Sequence, residues 1–118
     1  MDASLYNYRA MVTSVYDGDT CTVDIDLGLG CWVRGEKIRL HRINAPEVRG
    51  KEKGKGKASR DYLREQINKK AIILQTFKDR KGKYGRYLGE IWLKSANNEW
   101  INVNDLLVKK GFAAYKEY

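Results

Sequence analysis

A chain of 118 residues suits one domain around a single core, and 42% hydrophobic with 32% charged residues is ordinary for a globular protein. Twenty-three Lys and Arg against 15 Asp and Glu give a net charge of +8, which favours a polyanionic partner, nucleic acid before an anionic membrane surface. No stretch reaches the roughly 18–20 apolar residues of a membrane span, and no basic segment followed by an apolar run marks a secretory leader, so a cytoplasmic location is expected. The two cysteines, Cys21 and Cys31, match no metal-ligand spacing and are expected as reduced thiols.

Residues 10–17, "AMVTSVYD", and 20–27, "TCTVDIDL", alternate apolar and polar at period two, as half-buried strands do. The tight-turn residues between them predict a β-hairpin. After "GLG" at 28–30 a long third strand is expected from about Trp32 to Ile43, bent at Gly35. Residues 49–60 carry six basic residues, one acid and three glycines, which predicts a mobile surface loop. From about Lys57 to Lys69 the spacing of Ala58, Tyr62, Leu63 and Ile67 predicts an amphipathic helix. "AIILQTF" at 71–77 and "YLGEIWL" at 87–93 predict two further strands around a second basic loop at 78–86. Near the end, Asn102 is placed as N-cap, Asp105 near N3, Val103, Leu106 and Leu107 as a buried stripe, and Gly111 as the stop of a last helix.

The order β-β-β-α-β-β-α is mainly β with helices, an α+β class. Five short strands with a helix between the third and fourth point to a five-stranded OB-fold barrel filling one domain over 1–118; a generic α+β sandwich is the alternative.

Asp17 and Asp19 flank the first hairpin turn, where they either make the turn or supply hard oxygen ligands to a divalent cation. Glu47 follows Pro46, whose fixed φ stiffens the strand exit. Arg39 lies in a half-buried strand and Arg86 in a basic loop. Each has an ordinary reading as a solvated charge. Together they are the parts of a phosphodiester hydrolase: a metal to polarise phosphoryl oxygen, a carboxylate to activate water, and guanidinium groups to stabilise the transition state. The basic loops would attract the phosphate backbone.

"DGDT" at 17–20, "IRL" at 38–40 with "INAPE" at 43–47, "KYGR" at 83–86 and "VNDLLVKKGFA" at 103–113 occur in the order seen in the staphylococcal nuclease (thermonuclease-like) family, which this sequence resembles from about Met11 to Ala113. The resemblance implies an OB-fold barrel and an endonuclease that cleaves DNA and RNA with Ca²⁺ to leave 3′-phosphate ends, with Mg²⁺ or Mn²⁺ as the other divalent candidates. By position it implies Asp19 and Asn44 as side-chain metal ligands and the Ala45 carbonyl as a third. Glu47 matches the general base, and Arg39 and Arg86 match the arginines that hold the scissile phosphate. Lys83 and Tyr84 match nucleotide contacts, and Tyr115 a base-stacking neighbour.

The sequence departs from the family in several places. Asn44 stands where the best-known members carry aspartate, which removes a negative charge and predicts weaker Ca²⁺ binding or tolerance of other divalent ions. Ala45 replaces a threonine, and His41 and Arg42 replace apolar residues. His41 is expected on the strand face of Arg39. The hairpin "DLGLGCWVRGEK" is longer, with Cys31 and Trp32 either an exposed apolar edge or a buried pair. The aromatics Phe112, Tyr115 and Tyr118 are expected to close the barrel's end. A non-catalytic nucleic-acid-binding OB-fold module is the competing reading; Asn44 favours it, and Glu47, an acid facing phosphate, opposes it. A basic interaction or assembly protein is a third.

Overall fold

The computed structural model describes residues 6–81 and 85–116, with side chains over 6–77 and 85–116. The alternating patterns become strands. β1 (Asn7–Asp17) buries Ala10, Val12 and Val15, β2 (Thr20–Gly28) buries Cys21, Val23 and Ile25, and β3 (Cys31–Leu40) buries Ile38 and Leu40. Strict alternation from Val12 would turn Val15 outward. A register shift between Val12 and Ser14 restores it to the core, as a bulge does.

After α1 (Lys53–Ile67) come β5 (Ala71–Lys81) and β6 (Tyr87–Lys94). The sheet runs β3-β2-β1-β5-β6 with antiparallel neighbours, and the parallel pairing of β3 with β6 through Ile38–Tyr87, Arg39–Leu88 and Leu40–Gly89 closes it into a five-stranded barrel. β7 (Trp100–Asn102) adds to the far edge of β6, and α2 (Val103–Lys109) follows. The two-residue strands β4 (Ile43–Asn44) and β8 (Ala114–Tyr115) pair with each other. The barrel is filled by Val12, Val23, Ile38, Leu40, Leu74 and Ile91, and Leu63, Ile67 and Leu107 of the helices pack onto it.

Four expectations are corrected. The basic segment 49–60 is not a loop: a single 3₁₀ turn at Gly50–Glu52 leads into α1 at Lys53. The buried positions of α1 are Gly56, Ser59, Leu63 and Ile67, spaced three or four apart, so its first turns present a helical stripe of small residues that an apolar count overlooks. Gly56 and Ser59 are small because the helix sits almost on the chain beneath it. Among the lysines, Lys53, Lys55 and Lys57 are exposed.

The expected long third strand ends at Leu40. A turn at His41–Arg42 separates it from β4, with Arg42 at φ +70°, a left-handed conformation unusual for a side chain of this size. Two anchors hold the turn. Arg42 makes a bidentate pair with the buried Glu90 (Nε–Oε2 3.0 Å, Nη2–Oε1 2.7 Å) and a third bond to Asp105 at 2.9 Å. The fully buried Asn104 donates to the carbonyls of His41 (2.9 Å) and Gly89 (3.0 Å) and accepts from the Ile91 amide (3.1 Å).

The terminal aromatics also divide. Phe112 stacks on Tyr62 of α1, with centroids 4.5 Å apart, whereas Tyr115 is 58% exposed; Tyr118 lies outside the described residues. The second basic loop begins later than expected, because β5 continues to Lys81. The Asn102 cap, accepting from the Asp105 amide at 2.9 Å, and Gly111 at φ +83° end α2 as expected. At the tip of the β2–β3 hairpin, Cys31, Trp32 and Leu29 are exposed, an apolar edge.

Candidate active site

The site grows from the turn between β1 and β2. Asp17 accepts from the Asp19 amide at 3.1 Å, which fixes the turn and points Asp19 inward, where it is buried. Gly18 between them has no room for a side chain: a Cβ there would lie 2.7 Å from Ser59 Cβ and 2.8 Å from Ala45 Cβ. The turn therefore rests directly on α1 and on the segment after β4.

Each Asp19 oxygen is bonded. Oδ2 accepts from the Ala45 amide at 2.8 Å and lies 3.4 Å from Nη2 of Arg39; Oδ1 accepts from the Thr20 hydroxyl at 3.2 Å. Arg39 bonds the Leu40 carbonyl through Nη1 (2.8 Å) and Asn44 Oδ1 through Nη2 (3.2 Å). Arg86 bonds Thr20 Oγ1 at 3.4 Å. Asp19, Arg39, Asn44, Ala45 and Arg86 thus form one connected cluster, reached from the β1–β2 turn, β3, β4 with the residue after it, and the entry to β6. Thr20 is the link to Arg86 and has no signal of its own in the sequence beyond its place in "DGDT".

Glu47 is exposed, two residues past Ala45, at the rim shared by two cavities. One, of about 880 Å³, also contains Asp17, Thr20 and Arg86; the other, of about 620 Å³, contains Asn44, Ala45 and Phe112. Lys83 and Tyr84 lie outside the described residues. Tyr115 is set apart from the cluster: its hydroxyl donates to Asp105 at 2.9 Å and its ring faces the Arg42 guanidinium at 5.7 Å. His41 does not join Arg39 either. Its ring lies against Phe77, centroids 4.5 Å apart, and burial holds its pKa below the ordinary value.

Asp17 is the electrostatic anomaly of the site. Burial, and then the negative charge of Asp19, push its pKa up to about 6. Burial, with a contribution from Asp17, pushes the Cys21 thiol up to about 12, so this cysteine is an inert core residue. Among the described residues no three His, Cys, Asp or Glu side chains converge to hold a metal, and no helix is long and apolar enough to cross a membrane.

A closed barrel of five strands, with its parallel closing pair and a helix between the third and fourth long strands, defines the OB-fold class. Within that class, the family model described as "Staphylococcal nuclease homologue" matches residues 37–118. A thermonuclease of Staphylococcus intermedius is 31% identical over 92% of this chain and 60% of its own length, and one of Staphylococcus hyicus is 29% identical over 91% and 59%. An uncharacterized protein of Methanocaldococcus jannaschii is 29% identical over 91% of this chain and 58% of its own. The chain belongs to the staphylococcal nuclease family. It spans about 60% of the length of these relatives.

Proposed function

We propose that the protein is a divalent-metal-dependent endonuclease that hydrolyses phosphodiester bonds of DNA, RNA or both. The observation that carries this reading is the joining of Asp19, Arg39, Asn44 and, through Thr20, Arg86 by polar contacts of 3.2–3.4 Å, with Glu47 on the adjoining rim.

In this mechanism Arg39 and Arg86 hold the non-bridging oxygens of the scissile phosphate. Their fixed positions matter, because donors already aimed at the developing charge need no reorganisation during the reaction. Glu47 accepts a proton from the attacking water as the new P–O bond forms. The bond to the 5′ oxygen breaks, the departing oxygen takes a proton from solvent, and a 3′-phosphate and a 5′-hydroxyl remain.

The donor chemistry fits a hard cation. Asp17 and Asp19 are carboxylates, Asn44 supplies an amide oxygen and Ala45 a carbonyl; water would complete the coordination. The raised pKa of Asp17 fits the same site, because two acids that repel each other in a partly buried turn are relieved by a cation beside them. When bound, Ca²⁺, with Mg²⁺ or Mn²⁺ as alternatives, would polarise the phosphoryl oxygen. The high positive charge suits a nucleic-acid substrate.

The test incubates single- and double-stranded DNA and RNA with the protein in Ca²⁺, Mg²⁺, Mn²⁺ or chelator, beside Glu47→Gln and Arg86→Ala. Cleavage by the wild type that falls at least about a hundredfold in each variant supports the mechanism. Binding without cleavage in any metal would leave a non-catalytic OB-fold module. Undiminished cutting by Glu47→Gln would move the general base elsewhere.

A further inference from the structure

The 880 Å³ cavity that contains Glu47 and Arg86 does not end with them. It continues between the outer surface of β1 and the flank of α1. Five basic side chains line it against two acids, Asp17 and Glu47, a local excess of three positive charges by that count. Arg60 and Arg64 rise from α1 and Lys37 from β3; Tyr16 of β1, a residue 58% exposed, lines the same trough.

The spacing along α1 is regular. Gly56 touches the backbone of Glu47, and Arg60 and Arg64 follow one and two turns later on the same helix face, in steps of ~6 Å. Arg64 is fixed in place by a bond from Nη2 to the Val15 carbonyl at 3.2 Å, which uses one of the five donors of its guanidinium. Arg60 is held by Asp61 at 3.1 Å, with its side chain only 23% exposed. These are arginines held against the wall of a trough.

We propose that this trough is an extended subsite for a single polynucleotide strand, which carries the chain away from the cut along α1. Arg60, Arg64 and Lys37 bind successive phosphates, and Tyr16 is a platform on which an unpaired base stacks. Basic side chains with an exposed aromatic between them are the arrangement that suits single-stranded nucleic acid, since stacking needs a base face that a duplex keeps covered. The position of the cut rests on the nuclease reading above, whereas binding in the trough does not.

The test measures binding in chelator, where no metal-dependent cutting occurs. Fluorescent tetra- and hexadecathymidylate are titrated with the full chain between about 50 and about 200 mM salt. The wild type binds the longer strand more tightly, with the steeper salt dependence. Arg60→Ser with Lys37→Ser weakens binding of the longer strand at least about tenfold and lowers the salt slope by about 0.7 for each phosphate that is no longer neutralised. Tyr16→Ala weakens it about tenfold without changing the slope. Lys109→Ser, which removes one charge on α2 outside the trough, has little effect. These substitutions spare the bond from Arg64 to Val15, and matched thermal unfolding confirms that each variant is folded.

Equal affinity and slope in wild type and the Arg60/Lys37 variant would overturn the trough. A duplex that binds as tightly as the single strand, with Tyr16→Ala neutral, would overturn its single-strand character. A protein that shows this length dependence but cuts nothing overturns the nuclease reading alone. One that cuts yet binds both lengths equally overturns the trough alone.

Discussion

Gly56 of α1 lies against the carbonyl of Glu47, and a Cβ at position 56 would collide with the Glu47 and Val48 backbone. The helix and the proposed general base are therefore placed by one contact. Replacing glycine by alanine inside a helix ordinarily stabilises by about 0.5–1 kcal/mol. Here the sign reverses: Gly56→Ala is expected to destabilise by about 1–3 kcal/mol, because backbone rather than a flexible side chain must move. Chemical denaturation measures that loss. In the nuclease assay the displaced Glu47 is expected to lower the cleavage rate by up to about a hundredfold, more than the residual folded fraction accounts for.

Asn44 gives the second prediction. Its amide oxygen accepts from Arg39 at 3.2 Å, beside Asp19. Asn44→Asp adds a formal charge to a set of oxygen donors and is expected to tighten Ca²⁺ binding about tenfold, measured by calorimetry. Part of the gain is offset because the new carboxylate also pairs more strongly with Arg39. Unchanged affinity would mean that position 44 is not a ligand.

The barrel is legible in the sequence because its strands alternate cleanly and its turns carry the expected residues; "DGD" and the Asn102 cap read directly. The start of helix α1 is not, because small residues, Gly56 and Ser59, form its buried stripe, and their burial depends on a segment distant in sequence. The break at His41–Arg42 is hidden for a similar reason. Glu90, Asn104 and Asp105, which hold Arg42 and the turn, lie 48 to 63 residues away. For the candidate site, residue types and their order are visible, but not the Thr20 link between Asp19 and Arg86, nor the divergence of Tyr115 towards Asp105. Long-range side-chain geometry has no periodic signature.

His41 predicts a pH dependence. Burial lowers its pKa in the folded protein from the ordinary 6.5, with the charges of Arg42 and Arg39 acting in the same direction and Glu90 opposing. Below pH 6.5 the unfolded chain therefore binds more protons at this site than the folded one, and stability falls as the pH drops through and below that value. Above it the contribution is flat. His41→Phe retains a ring against Phe77 and removes the titration, so denaturation midpoints measured across mildly acidic pH should show a shallower decline than the wild type. An identical slope would assign the acid sensitivity to other groups.

Asn104 makes the strongest structural prediction, since its side chain is fully buried and bonds three backbone groups on two elements. Leucine keeps the branched shape but is bulkier, so Asn104→Leu leaves no cavity, strips partners from the Ile91 amide and the carbonyls of His41 and Gly89, and crowds the site. A buried backbone group without its partner costs about 1–3 kcal/mol, and some relaxation is available at the turn, so a total loss of about 3–5 kcal/mol is expected by denaturant unfolding. The effect should also reach beyond stability. With the His41 carbonyl released, the left-handed Arg42 loses one of its two anchors, and β4, which carries Asn44 towards Arg39, is tied to α2 less firmly, through the pair of Arg42 with Asp105. Amide exchange at Ile43 and Asn44 should therefore accelerate relative to the core of β1 and β2. Uniform acceleration across the barrel would show instead that Asn104 acts only on global stability.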